Sequence, residues 1–360
     1  AASWAPLPVA VARDVPGGAG AGTLARTPFT IDLVSGTIRV NSPDVAQPSV
    51  DYDAFRFYEL VVRVSDSPDP LDARWFEVRV RVDVLDTPDM SILGFETTPP
   101  LMTRGGETVL LFGTNMGPLY RNPGPIVATY GATGVEYTAV DCRVLDINTL
   151  VACTSAPGVG VNHIWRLRIG NETAVSAMTT RYRAPSIASV AAPLLATEGG
   201  EWVELVGDNM PSASVAATIA GARVTSQYAN DRLFFAADTC EVVVDFVRVR
   251  CRSVAGVGLG YRWVVVVAGQ ASAPSVATTA YVAPRLTELE LEGATGTPAQ
   301  RLAALQRLAT RGAQGVLVRG SGFGPGGASY SPVAFFGPAD APRRYTTTCT
   351  VATSHSVLRC

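Results

Sequence analysis

The sequence predicts an all-β protein made of β-sandwiches that follow one another along the chain. Six cysteines fall into three consecutive pairs, and ten residues separate the two members of every pair. Strand-like runs with alternating apolar residues recur at intervals of roughly eight to twelve residues between turn signals. The repeat that results, about a hundred residues long, is longer than a solenoid repeat and therefore favours separate sandwiches.

The repeat extends beyond the cysteines and divides the chain. A threonine followed by a Gly-rich turn and a strand precedes each cysteine pair at 103–116, 197–210 and 310–323. We therefore predict four immunoglobulin-like sandwiches with one short inserted helix. The predicted bounds are 1–89 for an N-terminal sandwich, 90–184 for unit 1, 185–283 for unit 2 and 284–360 for unit 3, which we expect to be incomplete.

The first ninety or so residues contain no cysteine and carry their own strand pattern. Residues 29–40 predict a hairpin with a Ser-Gly turn, and apolar residues alternate along two later runs. Alternation of this kind is typical of strands with one buried face. The alternating residues are Tyr58, Leu60, Val62 and Val64 in the first run, and Val78, Val80, Val82 and Val84 in the second.

A short helix is predicted near 297–310, where the β pattern stops. Thr297 suits the N-cap, Pro298 suits the first helical position, and Gly312 is able to end the helix. Leu302, Leu305 and Leu308 with Ala309 share one face. This helix either packs on its own sandwich or docks a neighbouring domain or chain.

Identical spacing favours disulfides within each pair, although six cysteines permit fifteen pairings. The favoured bonds are Cys142–Cys153, Cys240–Cys251 and Cys349–Cys360. Each would close a hairpin whose two strands place the cysteines opposite each other. The alternative, a metal–thiolate site, is opposed by the spacing and by the presence of only two histidines, His163 and His355.

Disulfides imply an oxidising compartment, and the sequon at Asn171 agrees with that location. The net charge of −2 opposes a nucleic-acid partner or an anionic membrane surface. The sequence contains no run of eighteen or more apolar residues, so it predicts no membrane span in this segment. Neither histidine lies in a motif typical of nucleophilic catalysis, so we expect no enzyme activity.

The segment 1–89 resembles the second half of a cadherin repeat, so we expect the N-terminal part of this sandwich to be atypical or truncated. The likeness lies in the motifs at 29–38, 50–53, 58–62 and 80–86. It implies calcium ligands at Asp51, Asp53, Asp83 and Asp86; a family asparagine is replaced by Leu85, and Thr87 also departs from the family pattern. Four carboxylates together with nearby carbonyl groups would only just supply the six to eight oxygen ligands that Ca²⁺ requires. The other interpretation is that these aspartates cap turns.

The three units that follow resemble IPT/TIG domains in their Gly-Gly and Gly-x-Asn-Met turns and their cysteine hairpins. Arrays of the two kinds occur in large cell-surface proteins. The basic residues are all arginine, and with the Ala/Val-rich composition this points to a green-algal flagellar surface (mastigoneme) protein as one candidate. The expected function is structural or adhesive, with protein chains as partners through homotypic assembly and glycans as possible ligands.

Two other functions remain open at this stage. The chain is alternatively an accessory carbohydrate- or ligand-binding module of a larger secreted enzyme or receptor. A DNA-binding role, known for other TIG sandwiches, is opposed by the cysteine pairs, the sequon and the absence of a basic patch.

Overall fold

The computed structural model describes residues 29–31, 37–40, 57–65, 74–85, 90–96, 100–117, 125–146, 148–191, 194–309, 311–327 and 330–360. Within these ranges the helices and strands are almost all strands, which confirms the predicted all-β fold class. The strands form antiparallel sheets, and the sheets group by sequence into an N-terminal segment and the three units.

The N-terminal segment consists of two hairpins packed on each other. The strands are β1 (Phe29–Ile31), β2 (Ile38–Val40), β3 (Phe57–Ser65) and β4 (Trp75–Asp83). Tyr58 lies opposite Val82 and Leu60 opposite Val80, so the alternating apolar residues share one face. The Phe29 ring meets the Tyr58 ring edge-on, with 5.1 Å between their centroids, which joins the hairpins.

Unit 1 is a complete two-sheet sandwich. Its strands are β5 (Ser91–Glu96), β6 (Thr108–Thr114), β7 (Ile126–Gly131), β8 (Tyr137–Thr138), β9 (Val140–Asp146), β10 (Leu150–Thr154), β11 (His163–Ile169) and β12 (Glu172–Thr180). One sheet has the order β5-β6-β10-β9 and the other β12-β11-β7-β8. With the strands lettered in chain order A, B, C, C′, D, E, F and G, these are the ABED and GFCC′ sheets of an immunoglobulin-like sandwich.

Unit 2 repeats this order with one added helix. Its elements are β13 (Ser186–Ala191), β14 (Trp202–Asp208), α1 (Ala213–Thr218), β15 (Thr225–Ala229), β16 (Phe234–Ala236), β17 (Cys240–Val244), β18 (Arg248–Arg252), β19 (Leu259–Val267), β20 (Gln270–Ala271) and β21 (Thr279–Ala280). The sheets run β13-β14-β18-β17 and β16-β15-β19-β20, with β21 also paired to β19.

The described residues of unit 3 form the ABED sheet and two strands of the second sheet. Its elements are β22 (Arg285–Leu291), α2 (Pro298–Leu305), β23 (Val316–Ser321), β24 (Val333–Phe336), β25 (Tyr345–Thr348), β26 (Thr350–Thr353) and β27 (Val357–Arg359). The sheet order is β22-β23-β27-β26, and β24 pairs with β25. The strands that pair thus occupy the A, B, E, D, C and C′ places.

Tryptophan fills the centre of units 1 and 2. Trp165 on β11 stacks on Tyr130 of β7 at 4.1 Å, and its counterpart Trp263 on β19 stacks on Tyr228 of β15 at 4.2 Å. All four side chains are fully buried. Each indole N–H donates to a buried threonine, so the one polar atom of the ring is satisfied.

The predicted helix is present but shorter than expected. α2 starts as predicted, because Thr297 accepts from the backbone N–H of Gln300 while the Gln300 side chain accepts from the backbone N–H of Thr297. It ends at Leu305, before Gly312, and it lies against β22, with Arg301 3.5 Å from Glu290. Helix α1 was not predicted; Ser212 caps it by accepting from Val215 N–H.

The two helices described have six and eight residues. Among the residues whose positions are described, no helix has the length and apolar character required to cross a bilayer.

Candidate functional site

The structure pairs all six cysteines as their spacing suggested. The bonds join Cys142 to Cys153, Cys240 to Cys251 and Cys349 to Cys360, with Cα atoms 4.1 Å apart in each pair. In units 1 and 2 each bond links strand D to strand E, and in unit 3 it joins Cys349, just before strand D, to Cys360, just after strand E. A typical immunoglobulin disulfide instead joins strands B and F across the two sheets. These bonds therefore hold a hairpin at the sheet edge and leave the sandwich core to other residues.

The turn of each clipped hairpin has the same backbone shape. Its central residue adopts a positive φ: 60° at Asn148, 67° at Phe246 and 65° at His355. The carbonyl of this residue accepts from the N–H of the second residue after strand B, which is Met116, Met210 or Phe323. Positive φ is rare for a residue as bulky as phenylalanine, so the surrounding contacts hold this turn in place.

The hairpin turn of unit 2 docks on the Gly-Gly loop of unit 1. The Thr103 hydroxyl is buried there and donates to the Met210 carbonyl oxygen at 2.9 Å. The Arg104 guanidinium lies 5.9 Å from the centre of the Phe246 ring, a cation–π distance. Because 107 residues separate Thr103 from Met210, this contact is a true junction between units.

A second set of contacts closes the same junction. Gln270, the first residue of β20, accepts from Gly160 N–H at 3.2 Å and donates to the Tyr182 carbonyl at 2.9 Å. Val159 of unit 1 is buried in the core of unit 2. Ile219, just after α1, contacts both cores. The two sandwiches thus share apolar burial as well as hydrogen bonds.

The junction between units 2 and 3 uses the same positions. Thr197, the counterpart of Thr103, is fully buried, and its hydroxyl lies 3.0 Å from His355 Nδ1. Glu198, the counterpart of Arg104, lies 3.9 Å from the same nitrogen. Val257, the counterpart of Val159, packs directly against the backbone of Gly324. The contact that lies next to the buried threonine differs in residue type between the two junctions. It joins Arg104 to Phe246 in the first junction and Glu198 to His355 in the second.

A pair of tyrosines holds the loop that carries the buried valine. In unit 1 the hydroxyls of Tyr130 and Tyr182 are 2.5 Å apart, and the Tyr182 hydroxyl donates to the Ala156 carbonyl at 2.6 Å. The backbone N–H of Ala156 donates in turn to the Tyr130 hydroxyl. Burial raises the pKa of Tyr130 to about 12 and raises that of Tyr182 as well, so both stay neutral and able to donate.

Unit 2 has the same hydrogen-bonded tyrosine pair at matching positions. The hydroxyls of Tyr228 and Tyr281 are 2.8 Å apart, and that of Tyr281 donates to the Val254 carbonyl at 2.7 Å. Burial raises the pKa of both side chains. Space beside the ring is so limited that a Cβ on Gly256 would lie 2.6 Å from Tyr281 Cζ. The loop that docks the next unit is thus fixed from inside its own sandwich.

His163 lies in an aromatic cage next to the first junction. Its ring centre is 5.3 Å from that of Tyr182, 5.5 Å from that of Tyr137 and 6.1 Å from that of Tyr130. The ring is buried, and burial lowers the pKa of His163. The counterpart in unit 2 is Tyr261, which donates its hydroxyl to the Val257 carbonyl. The other histidine, His355, belongs to the second junction.

The remaining predicted sites are placed as follows. Asn171 is exposed in the turn between β11 and β12. Asp83 is exposed at the end of β4 and pairs with Arg81 at 2.7 Å, while Asp51, Asp53 and Asp86 lie outside the described residues. Glycosylation and calcium binding therefore stay predictions.

The residues that build the junctions were not identified from the sequence. Thr103 and Thr197 belong to the repeated motif at 103–116 and 197–210, whereas no sequence pattern marks Gln270 as a contact residue. The one available signal was the repeat itself, because equal positions in two units recur with the same buried threonine and the same valine. The leucines that would make α2 a docking element differ in exposure to solvent. Leu302 and Leu308 are exposed, and Leu305 is half-buried.

Fold and junctions together define a tandem array of immunoglobulin-like sandwiches with locally clipped hairpins. No protein-family model matches the chain, and no curated protein sequence matches it. Solved structures similar to it include the plexin A4 extracellular region, at 15% identity and a TM-score of 0.24, with 54% of this chain and 18% of that chain covered.

Two other solved structures show a comparable likeness. Mouse cadherin-23 EC22–24 has 15% identity and a TM-score of 0.23, with 70% of this chain and 80% of that one covered. A protein crystallised with xylogluco-oligosaccharide has 11% identity and a TM-score of 0.30, with 75% and 53% covered. The chain spans less than a fifth of the plexin chain and about half of the last one. The immunoglobulin-like assignment rests on the strand order described above.

Proposed function

We propose that this chain is a non-catalytic structural and adhesive segment of an extracellular multidomain protein. Its sandwiches form a row that mediates filament or surface assembly. The observation that carries this proposal is the repeated junction, in which Thr103 and Thr197 occupy equal positions and each contacts the next unit. A protein that transmits force or spaces binding surfaces needs such fixed joints, whereas independent binding modules need only linkers.

Three further features support an extracellular, non-catalytic role. Three disulfides are typical of a protein from an oxidising compartment. The sequon at Asn171 lies on an exposed turn. Each histidine has a structural environment, His163 inside the aromatic cage and His355 within a junction. We extend the proposal to an IPT/TIG-like and cadherin-like array of a cell surface, with a flagellar surface as the specific location.

Bead aggregation tests the adhesive role. Beads coated with the 360-residue chain are expected to cluster with one another and not with beads coated with an unrelated protein. Clustering that needs a second, different protein would point to heterotypic adhesion. Failure to cluster together with selective binding on a glycan array would contradict the proposal and favour the accessory carbohydrate-binding module. Antibody labelling of intact cells tests the surface and flagellar location.

Enzymatic removal of N-linked glycans tests the compartment separately. The chain secreted from a eukaryotic host is expected to lose mass on treatment, and the variant Asn171→Gln is expected not to. An untreated chain with the unmodified mass would show that the exposed turn stays unglycosylated.

A further inference from the structure

The outer face of the ABED sheet in unit 1, which we call the unit 1 face, is apolar at its centre. Leu110 and Phe112 of β6 and Leu150 of β10 lie outside the core of the sandwich. The register sets Leu110 opposite Ala152 and Phe112 opposite Leu150, so the four side chains are neighbours on two adjacent strands. Phe112 is 42% exposed although the tip of its ring lies over Gly94 of β5. Apolar surface at the middle of this sheet is therefore open to solvent.

Unit 2 has charged residues at three of these four positions. They are Glu204 in place of Leu110, Arg250 in place of Ala152 and Arg248 in place of Leu150. Arg248 pairs with Glu204 at 3.3 Å, and Arg250 pairs with Glu241 of the next strand. An antiparallel sheet of this kind keeps a solvated outer face. The fold therefore does not require the apolar residues of unit 1, and exposed apolar surface of this kind marks an interaction site.

Two opposite charges flank the apolar centre of the unit 1 face. Glu96 of β5 lies opposite Leu110, and Arg143 of β9 lies opposite Ala152. One row across the sheet thus reads Glu96, Leu110, Ala152, Arg143. Within the part of the chain that the structure describes, Glu96 and Arg143 take part in no ion pair. A row that is acidic at one end and basic at the other is complementary to a second copy of itself turned end for end.

We propose that the unit 1 face binds the same face of a second copy of this chain, with the two copies pointing in the same direction. A two-fold axis parallel to the strands, between β6 and β10, stacks the two faces and sets Glu96 of each copy opposite Arg143 of the other. The same axis sets Phe112 of each copy opposite Leu150 of the other. An axis across the strands would instead set Glu96 against Glu96 and Arg143 against Arg143. Like charges in contact oppose that arrangement, so the charges select copies that point the same way.

The dimensions of the unit 1 face indicate a weak contact. Its strands β5, β6, β10 and β9 have six, seven, five and seven residues. With strands about 4.8 Å apart and a rise of about 3.4 Å per residue, the face measures about 400 Å². Interfaces below about 1,200 Å² in total are weak and transient, so the dimer is expected to dissociate on dilution. Display of many copies on one surface strengthens such a contact.

The inference rests on the proposed function, because it names a second copy as the partner in homotypic assembly and gives the surface that binds it. Analytical ultracentrifugation of the 360-residue chain tests the pairing. The sedimentation coefficient is expected to rise with concentration toward the value of a dimer.

Leu110→Glu locates the contact. The variant gives unit 1 the residue type that unit 2 has at this position, so the sandwich is expected to fold. The dissociation constant of the dimer is expected to rise at least about tenfold, because the symmetric interface then buries two unpaired charges. Val175→Glu is the matched control: Val175 is 50% exposed on β12, in the other sheet of unit 1, and the change is expected to leave the dissociation constant unaltered. Thermal unfolding checks that both variants are folded.

Reversal of the edge charges tests the orientation of the two copies. Glu96→Arg and Arg143→Glu are each expected to raise the dissociation constant about threefold to tenfold, because each change places like charges in contact twice. The double variant is expected to restore the affinity of the unaltered chain. A mixture of the two single variants is expected to associate more strongly than either variant alone.

Three results would overturn the inference. They are a chain that stays monomeric up to about 1 mM, a dimer that Leu110→Glu leaves unchanged, and single charge reversals that leave the dissociation constant unaltered. Bead clustering is judged separately. Beads that cluster equally well with and without Leu110→Glu, while the chain stays monomeric in solution, would keep the adhesive role and place it on another surface. A dimer in solution without clustering of beads would keep this surface and contradict the adhesive role.

Discussion

Removing one disulfide is expected to destabilise one unit and leave its neighbour intact. The variant is Cys240→Ala with Cys251→Ala, which leaves no free thiol and puts no hydroxyl into the buried position of Cys251. The bond closes a loop with a sequence separation of 11. The chain-entropy relation for a loop of this length gives a loss of about 3 kcal/mol in the free energy of unfolding.

That loss is large for a single sandwich. For a unit of about a hundred residues, each kcal/mol lowers the melting temperature by about 4–8 °C, so the unit 2 transition is expected to fall by about 12–24 °C. The loss is confined to unit 2 because the bond joins two strands of one sheet, β17 and β18. The turn between β17 and β18, which has Phe246 at its centre and contacts unit 1, is expected to open when unit 2 unfolds.

Pulsed hydrogen exchange with mass spectrometry across a urea series measures each unit separately. Peptides from β14, β17 and β19 are expected to lose protection at a lower urea concentration, whereas peptides from β6 and β11 keep their midpoint. Val243→Ala, an exposed change on β17, serves as the matched control with the disulfide intact. A loss under about 1 kcal/mol, or an equal fall in unit 1, would refute the view that each bond is a local clip.

Three further predictions concern the cage, the junction and the loop. Burial lowers the pKa of His163, so below about pH 6.5 this histidine binds a proton more readily in the unfolded chain than in the folded one. Its contribution to the free energy of unfolding is therefore full above that pH and falls as the pH drops. The variant His163→Phe is expected to reduce the change of the urea midpoint between about pH 5 and 7. An unchanged slope would contradict this. Gln270→Ala removes two hydrogen bonds between units 1 and 2 and is expected to weaken the coupling of these units by about 1–3 kcal/mol. Small-angle X-ray scattering is expected to show a broader distribution of interatomic distances for this variant. The control variant Gln227→Ala, on β15, is expected to leave that distribution unchanged. Gly256→Ala is expected to cost about 1–3 kcal/mol, because its Cβ would displace the Tyr281 ring; thermal unfolding measures the loss, and a neutral result would show that the ring moves freely.

The cysteine hairpins show how far the sequence reaches. Equal spacing was enough to pair Cys142 with Cys153 and its two counterparts, because both members of a pair lie in one local hairpin. Alternation likewise placed Tyr58 and Leu60 on one face of β3. Helix α2 could be anticipated from Thr297 and Pro298, but its end could not, because the stop at Leu305 depends on how the chain returns to β23.

The joints between the units were decided by the tertiary structure alone. Thr103 meets Met210 across 107 residues, and Thr197 meets His355 across 158, so no local pattern relates the partners. A sequence read alone determines strands, turns and local bonds, because these depend on neighbours along the chain. Contacts between separate sandwiches depend on how whole units are placed, and that placement follows from shared burial of residues such as Val159.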